Sequence, residues 1–194
     1  MTAMGHVDLT LRAFSTLTYL FNAKVLDVGC GDLGYTRGYF LTQGFQWLGI
    51  DKNFEDKEQN IFKCEMEDIK IVPDNSIDLV FVCHSLEHSE QPIKALKEFR
   101  RVLKLGGYLF ISMPLHCEKQ ILGGDEDHIS VFSQMQMKRL FAYTGIRLLD
   151  FWVEKQFECR DSQNTQIFVG IKMDKEVTNA KPNLVAHSNV RPIN

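Results

Sequence analysis

The segment Lys24–Gly34, with the sequence KVLDVGCGDLG, constrains the fold of this chain more than any other segment. Its first five residues are an apolar run typical of a buried β-strand. The glycines that follow permit a tight turn with positive φ and the close approach of a ligand to the backbone. The N–H groups in the first turn of a following helix would face the same space. The segment therefore predicts a strand, a glycine-rich turn and a helix that together bind a nucleotide-type cofactor.

The glycine spacing leaves two classes of cofactor open. Gly29-x-Gly31-x-x-Gly34, with Asp51 about 20 residues further on after a second strand, matches the dinucleotide-binding pattern. Asp27 argues against a dinucleotide, because a carboxylate at the mouth of the turn would repel a pyrophosphate. It suits a cofactor that has positive charge and no phosphate, such as S-adenosylmethionine with its ammonium and sulfonium groups. The alternative role for Asp27 is to accept hydrogen bonds from the N–H groups of its own loop.

Two segments carry a resemblance to a known family. Val25–Gly31 resembles the first motif of the class I S-adenosylmethionine-dependent methyltransferases, and Leu48–Asp51 resembles their second, in which the acid binds the ribose hydroxyls. Further matches follow in the family's order over about residues 24–150. The resemblance implies an α/β fold with a doubly wound, mostly parallel, seven-stranded Rossmann-like sheet, an antiparallel last strand and helices on both faces. It also implies S-adenosylmethionine as cofactor and methyl transfer as activity, and it leaves the acceptor open.

The end of the third predicted strand extends the resemblance to the adenine ring. In the family an acid here binds the adenine amino group, and the backbone N–H of the next residue meets a ring nitrogen. Glu65 and Met66 occupy these positions, although the family usually has Asp at the first. The alternative is an acidic turn exposed to solvent. We expect the cofactor to be bound by Asp27, Gly29, Cys30, Gly31, Gly34, Asp51, Lys52, Glu65, Met66, Glu67 and His84.

The stretch His84–His88, with the sequence HSLEH, follows the fourth predicted strand. As a string it matches the H-x-x-E-H pattern of inverted zinc peptidases. That pattern needs a helix to place both histidines on one face, as well as a third ligand, and Pro92 follows too soon for such a helix. The resembled family commonly has Leu-Glu-His in this loop beside the cofactor. We therefore predict no metal: His84 lines the cofactor or acceptor pocket, while Glu87 and His88 orient the loop.

The long connection over residues 114–131 follows the fifth predicted strand. Loops of this length in a compact domain are usually functional or disordered, and its place at the carboxyl end of a strand puts it over the binding crevice. We interpret it as a lid over the acceptor, with Gly123 and Gly124 as a hinge. A hydroxyl acceptor benefits from a general base, for which His128 is the first candidate and His116 the second. The alternative for His128 is a structural histidine that hydrogen-bonds the loop, and a carboxylate acceptor would need no base.

The remaining patterns complete one domain over residues 1–173. A helix within residues 1–22 is expected to cover the core or the cofactor, with partner binding as the alternative, and residues 174–194 form a polar tail. The last two predicted strands complete the sheet. Helices are predicted over 33–43, 91–104 and 133–143, and strands over 24–28, 46–50, 61–64, 77–83, 108–113, 146–153 and 165–172.

The net charge and the absence of two known motifs limit the class of methyl acceptor that the sequence favours. The formal net charge is −3 with both signs interspersed, which gives no basic surface for nucleic acid or an anionic membrane. The chain also lacks the Asn/Asp-Pro-Pro-aromatic segment of exocyclic-amine DNA methyltransferases and the Pro-Cys nucleophile of cytosine C5 enzymes. We expect a small-molecule acceptor rather than nucleic acid, with methyl transfer to oxygen, nitrogen or carbon.

Two other functions and the cellular setting stay open at this point. A non-catalytic S-adenosylmethionine-binding regulatory subunit would bind the cofactor without turnover. An NAD-dependent oxidoreductase is disfavoured by Asp27. No apolar run reaches membrane-spanning length, and the five cysteines are unclustered, as in proteins of a reducing compartment. We expect a cytoplasmic protein, with a homodimer as one option for its oligomeric state, which the sequence leaves open.

Overall fold

The computed structural model describes residues 10, 11, 14, 22–32, 34–115, 127–154 and 165–174. Its strands form one seven-stranded sheet. They are β1 Lys24–Val28, β2 Gln46–Asp51, β3 Ile61–Lys63, β4 Ile77–Cys83, β5 Leu103–Pro114, β6 Ile146–Glu154 and β7 Thr165–Lys172. The strand order in the sheet is β3-β2-β1-β4-β5-β7-β6.

The sheet is parallel except at one strand. β1 pairs in parallel with β2 and with β4, and the parallel ladder continues to β3 on one side and β5 on the other. β7 is antiparallel to both of its neighbours, β5 and β6. The predicted mostly parallel sheet with an antiparallel last strand is therefore confirmed. The last of the described strands, β7, lies inside the sheet, between β5 and β6.

The helices lie on both faces of the sheet, as predicted. They are α1 Arg37–Thr42, α2 Pro92–Val102 and α3 Gln134–Thr144, and single 3-10 turns cover Lys57–Gln59 and Leu86–His88. Phe99 of α2 and Phe141 of α3 belong to the hydrophobic cluster on one face. Phe40 of α1 belongs to the cluster on the other face, together with Phe81 of β4 and Phe110 of β5. Since strands β1, β4 and β5 are covered on both sides, their sequences are nearly continuous apolar runs.

The predicted helix over 133–143 is confirmed with its end residues. Ser133 is the N-cap: its hydroxyl accepts a hydrogen bond from the Gln136 N–H at 3.3 Å, and the Gln136 side chain accepts from the Ser133 N–H at 2.8 Å. This reciprocal pair is a capping box, which satisfies two N–H groups that the helix itself leaves unpaired. Gly145 closes the helix in the left-handed region, with φ of 75°.

Two helix predictions differ from the structure at their ends. The helix expected over 33–43 begins only at Arg37, because Gly34 has φ of +51°, which a right-handed helix does not permit. The helix expected over 91–104 ends at Val102, and β5 begins at Leu103 rather than at Tyr108. The glycines after Leu105 do not end the helix but form an irregular step inside β5, where the register with β4 shifts.

Several predictions fall mostly or wholly outside the described residues: the helix within 1–22, most of the lid loop with His116 and its glycine pair, and the tail from 175 onward. Of the first segment, Thr10, Leu11 and Phe14 are helical. The ring of Phe14 packs edge-on against Phe110, with ring centroids 5.3 Å apart. No helix in the part of the chain that the structure describes has the length and apolar character of a membrane span.

Candidate functional site

A cleft of about 920 Å³ opens at the carboxyl ends of strands β1 to β4, beside the end of the connection that follows β5. The strand order reverses between β1 and β4, and in open α/β sheets ligands bind at such a reversal. The described lining residues come from the ends of these strands and the loops after them. They are Val28, Gly29, Ile50, Asp51, Lys52, Asn53, Cys64, Glu65, Met66, Glu67, Asp68, His84, Ser85, His88, Ser89, Glu90, Gln91, Lys94, Asp127 and Ile129.

In the glycine turn after β1, the N–H groups of residues 29–31 donate hydrogen bonds to other residues of the protein. The N–H groups of Gly29 and Cys30 both donate to the carbonyl oxygen of Ile50, at 2.8 and 3.2 Å. The N–H of Gly31 donates to Asp51 Oδ2 at 3.1 Å. A dinucleotide site depends on such N–H groups to hold a pyrophosphate. The turn is therefore built for a ligand that needs no phosphate contacts from these three residues.

Gly29 is also required for the packing of the loop after β4. It has φ of +70°, and a Cβ at this position would overlap the side chain of Ser85. The Ser85 hydroxyl hydrogen-bonds the carbonyl oxygens of Val28, at 2.9 Å, and Cys83, at 3.0 Å. The absence of a side chain at residue 29 thus lets Ser85 hold the ends of β1 and β4 together at the floor of the cleft.

Asp51 is fixed in the cleft wall by two backbone N–H groups. Besides the bond from Gly31, its Oδ1 accepts from the Asn53 N–H at 2.8 Å. A carboxylate offers about four acceptor positions, so each oxygen keeps a lone pair for a ligand. An oriented carboxylate of this kind can accept hydrogen bonds from two neighbouring hydroxyls, such as those of a ribose.

Asp27 lies behind the turn rather than at its mouth. Its side chain is 1% exposed, and its Oδ2 accepts hydrogen bonds from the Thr36 hydroxyl and from Trp47 Nε1, the latter at 3.3 Å. Burial raises the pKa of this carboxyl to about 7, against the opposing effect of these two hydrogen bonds. The structure therefore does not bring Asp27 into the cleft, because the alternation of side chains along β1 turns it toward the face that holds Phe40.

Seven of the eleven predicted cofactor residues line the cleft: Gly29, Asp51, Lys52, Glu65, Met66, Glu67 and His84. Gly31 is not among the lining residues, but its N–H hydrogen-bonds the Asp51 carboxylate, which is. Cys30 and Gly34 join Asp27 beneath the turn, where a Cβ at Gly34 would lie 3.2 Å from the Trp47 ring. Burial raises the pKa of the Cys30 thiol, as expected for a thiol that acts as a small apolar side chain.

Sequence reasoning missed two serines of the cleft. Ser85 connects the turn to β4, and Ser89 hydrogen-bonds the Glu67 carboxylate with its hydroxyl. Both follow directly after β4, at the edge of the sheet where ligands bind. Their position directly after a predicted central strand, rather than their residue type, could have identified them as cleft residues.

The HSLEH stretch forms a compact unit with the end of the loop after β5. His84 has φ of 49°, a left-handed conformation uncommon for residues other than glycine. Its Nδ1 lies 3.4 Å from Oε1 of the buried Glu87. His88 Nδ1 lies 3.0 Å from the carbonyl oxygen of Asp127, and the His88 and His128 rings meet edge-on with centroids 4.9 Å apart. A third histidine therefore reaches the HSLEH stretch, which sequence reasoning did not foresee.

The described lining of the cleft is acidic. It contains six carboxylates and two lysines. Such a surface attracts cations and repels phosphates. The carboxylates are Asp51, Glu65, Glu67, Asp68, Glu90 and Asp127, and the lysines are Lys52 and Lys94.

Comparisons with known proteins agree with this arrangement. Residues 26–111 match the family model of a methyltransferase domain. The chain is 29% identical over 165 residues to the tRNA U34 carboxymethyltransferase of Shewanella amazonensis. This alignment covers 74% of this chain and 46% of the relative. The corresponding protein of Mannheimia succiniciproducens is 27% identical over 161 residues, with 74% and 47% coverage. The chain thus spans about half the length of the curated relatives it matches.

Solved structures show the same fold. A SAM-dependent methyltransferase from Archaeoglobus fulgidus has a TM-score of 0.71 at 20% identity, with 88% of this chain and 95% of that chain covered. The 1,6-didemethyltoxoflavin-N1-methyltransferase of Burkholderia thailandensis, solved with S-adenosylhomocysteine, has a TM-score of 0.69 at 16% identity, with 89% and 79% coverage. Residues 26–111 thus match a methyltransferase domain, and the chain has the fold of these solved methyltransferases.

Proposed function

We propose that this chain binds S-adenosylmethionine in the cleft and transfers its methyl group to a small-molecule acceptor. The observation that carries the proposal is Asp51, a carboxylate held by two backbone N–H groups at the reversal of strand order. It is poised for ribose hydroxyls, beside a turn that offers a pyrophosphate none of the three N–H groups described above. Glu65 and Met66 line the same cleft where the adenine ring is expected.

The reaction requires little chemistry from the protein. A lone pair of the acceptor attacks the methyl carbon in line with the S–C bond, and the electrons of that bond return to sulfur. The cofactor supplies the reactivity, while the protein binds, aligns and excludes water. Alignment can account for about 7–11 kcal/mol of the barrier. The acidic lining contributes by attracting the positive ammonium and sulfonium groups of the cofactor.

The charge of the cleft favours a small acceptor over RNA. A nucleic acid is bound mainly through lysine and arginine contacts to phosphates, and carboxylates outnumber lysines in the described lining. The two arginines of α2 are used within the protein: Arg101 donates to Glu98, and Arg100 donates to the Gly145 carbonyl at 3.0 Å. A tRNA acceptor is the second candidate, because the relatives named above are tRNA carboxymethyltransferases.

His128 is proposed for the acceptor end of the cleft. Its neighbours in the chain, Asp127 and Ile129, both line the cleft, and its ring contacts that of His88, which also lines it. A base at this position could accept the proton of a hydroxyl acceptor. A cytoplasmic setting belongs to the same proposal, since the described cysteines, Cys30, Cys64 and Cys83, are free thiols.

The test is calorimetric titration with S-adenosylmethionine, S-adenosylhomocysteine and NAD. We expect the first two to bind and NAD not to bind. Asp51→Asn should weaken S-adenosylmethionine binding about tenfold or more, because hydrogen bonds to a charged acceptor are lost. Asp150→Asn, an exposed carboxylate of β6, is the matched control and should bind like the parent protein. Binding of NAD without S-adenosylmethionine would refute the proposal.

A second measurement identifies the acceptor class. The protein is incubated with S-adenosylmethionine labelled in its methyl group, together with either a small-metabolite extract or bulk tRNA. Label in the small-metabolite fraction supports the proposal, whereas label in RNA that ribonuclease releases supports the second candidate. Cofactor binding with no transfer to either would favour the regulatory-subunit alternative.

A further inference from the structure

We propose that Glu87, His88 and His128 form a binding site for a divalent transition-metal ion beside the cleft. Each residue offers one ligand atom, an imidazole nitrogen or a carboxylate oxygen, and these atoms all lie within 4.8 Å of one another. Two imidazoles and one carboxylate are a ligand set that suits zinc and other first-row divalent ions. Because such bonds measure about 2.0–2.2 Å, small rotations of the three side chains bring the atoms around a single ion.

Glu87 supplies an independent reason to expect a ligand here. Its side chain is 1% exposed, and neither of its carboxylate oxygens accepts a hydrogen bond from the described residues. The Nδ1 of His84 approaches Oε1 at 3.4 Å. A buried carboxylate without hydrogen bonds is unfavourable, and proteins satisfy such groups by pairing or by metal coordination. A cation bound to Glu87 would supply the missing interaction.

Hydrogen bonds around the three residues orient the candidate ligands, as neighbouring groups do in known metal sites. Histidines that bind metals usually donate their second ring N–H to a carbonyl or carboxylate oxygen. His88 Nδ1 lies 3.0 Å from the Asp127 carbonyl oxygen, which leaves its Nε2 for the ion. The Ser130 N–H donates to the Glu87 carbonyl at 2.8 Å, and the Ser130 hydroxyl donates to the Ser89 carbonyl at 2.6 Å. These bonds fix the segment that carries His128 against the HSLEH turn.

The position of the ion indicates the class of ligand it would take. Three protein ligands leave at least one coordination position open, as in catalytic zinc sites, and His88 lines the cleft. An oxygen of the acceptor, such as a hydroxyl, could occupy that position. This role rests on the proposed methyl transfer, whereas the metal site itself does not.

In such a reaction the metal replaces a general base. Coordination lowers the pKa of a bound hydroxyl, so its proton leaves to water. The oxygen lone pair then forms the new O–CH₃ bond, the S–CH₃ bond breaks, and its electron pair returns to the sulfonium sulfur. His128 acts as a ligand when the site holds an ion, and the general-base role proposed above applies to the protein without the ion.

The site is tested by titrating chelator-treated protein with ZnCl₂ in a calorimeter, and with Co²⁺ while its visible absorption is recorded. We expect saturable binding of one ion. Glu87→Gln and His128→Ala should each weaken Zn²⁺ binding about tenfold or more and abolish the Co²⁺ bands. Glu58→Gln, an exposed glutamate of the 3-10 turn after β2, is the control and should leave binding unchanged.

The proposal is overturned if the wild-type protein binds no ion, or if binding survives both substitutions. Should Glu87→Gln fail to fold by circular dichroism, His128→Ala decides, because His128 is only partly buried. The same samples are titrated with S-adenosylmethionine in the absence of metal. Loss of cofactor binding with zinc binding retained counts against the proposed function alone, and the reverse result counts against the metal site alone. Once an acceptor is known, chelation should abolish turnover while the affinity for S-adenosylmethionine stays constant.

Discussion

Replacing Asp27 with Asn should change how the stability of the protein depends on pH. Asp27 accepts both of its hydrogen bonds, from Thr36 and Trp47, at one oxygen, and an Asn carbonyl oxygen can take that place. Burial raises the pKa of the carboxyl from 3.8 to about 7. Between these values the unfolded chain has lost the proton that the folded protein still binds. The stability that Asp27 contributes is therefore fully present below about pH 3.8 and is lost as the pH rises to about 7.

The magnitude follows from the same pKa values. A pKa raised from 3.8 to about 7 corresponds to about 4 kcal/mol between the extremes, at 1.36 kcal/mol for each pH unit. Between about pH 5 and pH 8 the advantage of Asp27→Asn over the parent protein should grow by about 2–3 kcal/mol.

The assay is urea unfolding of both proteins at several pH values across this window. Unfolding is followed by circular dichroism and by tryptophan fluorescence, which comes from Trp47 and Trp152. The indole N–H of Trp47 donates to residue 27. The measured quantity is the difference between the two free energies of unfolding at each pH. A difference that stays constant from about pH 5 to pH 8 would show that Asp27 is ionised alike in both states, and the reasoning would be wrong.

Two further substitutions test the hydrogen bonds of Glu98 in α2 and the packing of the glycine turn after β1. Glu98→Gln should destabilise the protein by about 1–3 kcal/mol at neutral pH, because the carboxylate accepts from Arg101 Nε and from the Ile69 N–H, both at 2.9 Å. Those bonds lower the pKa of Glu98, so the loss measured by urea unfolding should shrink as the pH falls below 4.5, and an unchanged loss would contradict this account. Gly29→Ala should weaken S-adenosylmethionine binding in calorimetry about tenfold or more, because its Cβ overlaps Ser85. Gly44→Ala is the control: it has a similar φ of +80° but nothing within 4 Å, so it should lose about 1–2 kcal/mol of stability and retain binding. Equal binding by the two alanine variants would refute the overlap.

The sequence predicts those parts of the fold that depend on local patterns. Apolar runs located the seven strands because the central strands are buried on both faces, and the Ser133 cap with Gly145 located α3. The ends of α1 and α2 were less predictable. The positive φ of Gly34 is not specified by the helical pattern around it, and the irregular step in β5 lies where β5 pairs with β4, which is distant in sequence.

The candidate site was predictable where a motif fixes a strand end, as at Asp51 and Glu65. It was not predictable where side-chain direction decides, since Asp27 turns away from the cleft. The relation of Glu87 to His128 depends on a loop that returns about 40 residues later in the chain. The zinc-type pattern was set aside for lack of a long helix, yet a single 3-10 turn and the returning loop bring three candidate ligands together.

The interior position of β7 affects the order in which the chain can fold during synthesis. β6 pairs only with β7 among the described strands, and β7 also covers the free edge of β5. A nascent chain that has emerged as far as β5 therefore contains the whole parallel half of the sheet, from β1 to β5. One edge of β5, along residues that include Phe110 and Ile111, stays unpaired until β7 has been synthesised and pairs with it. Unpaired edges of this kind promote aggregation, and pairing with β7 removes this one by covering β5 along its length.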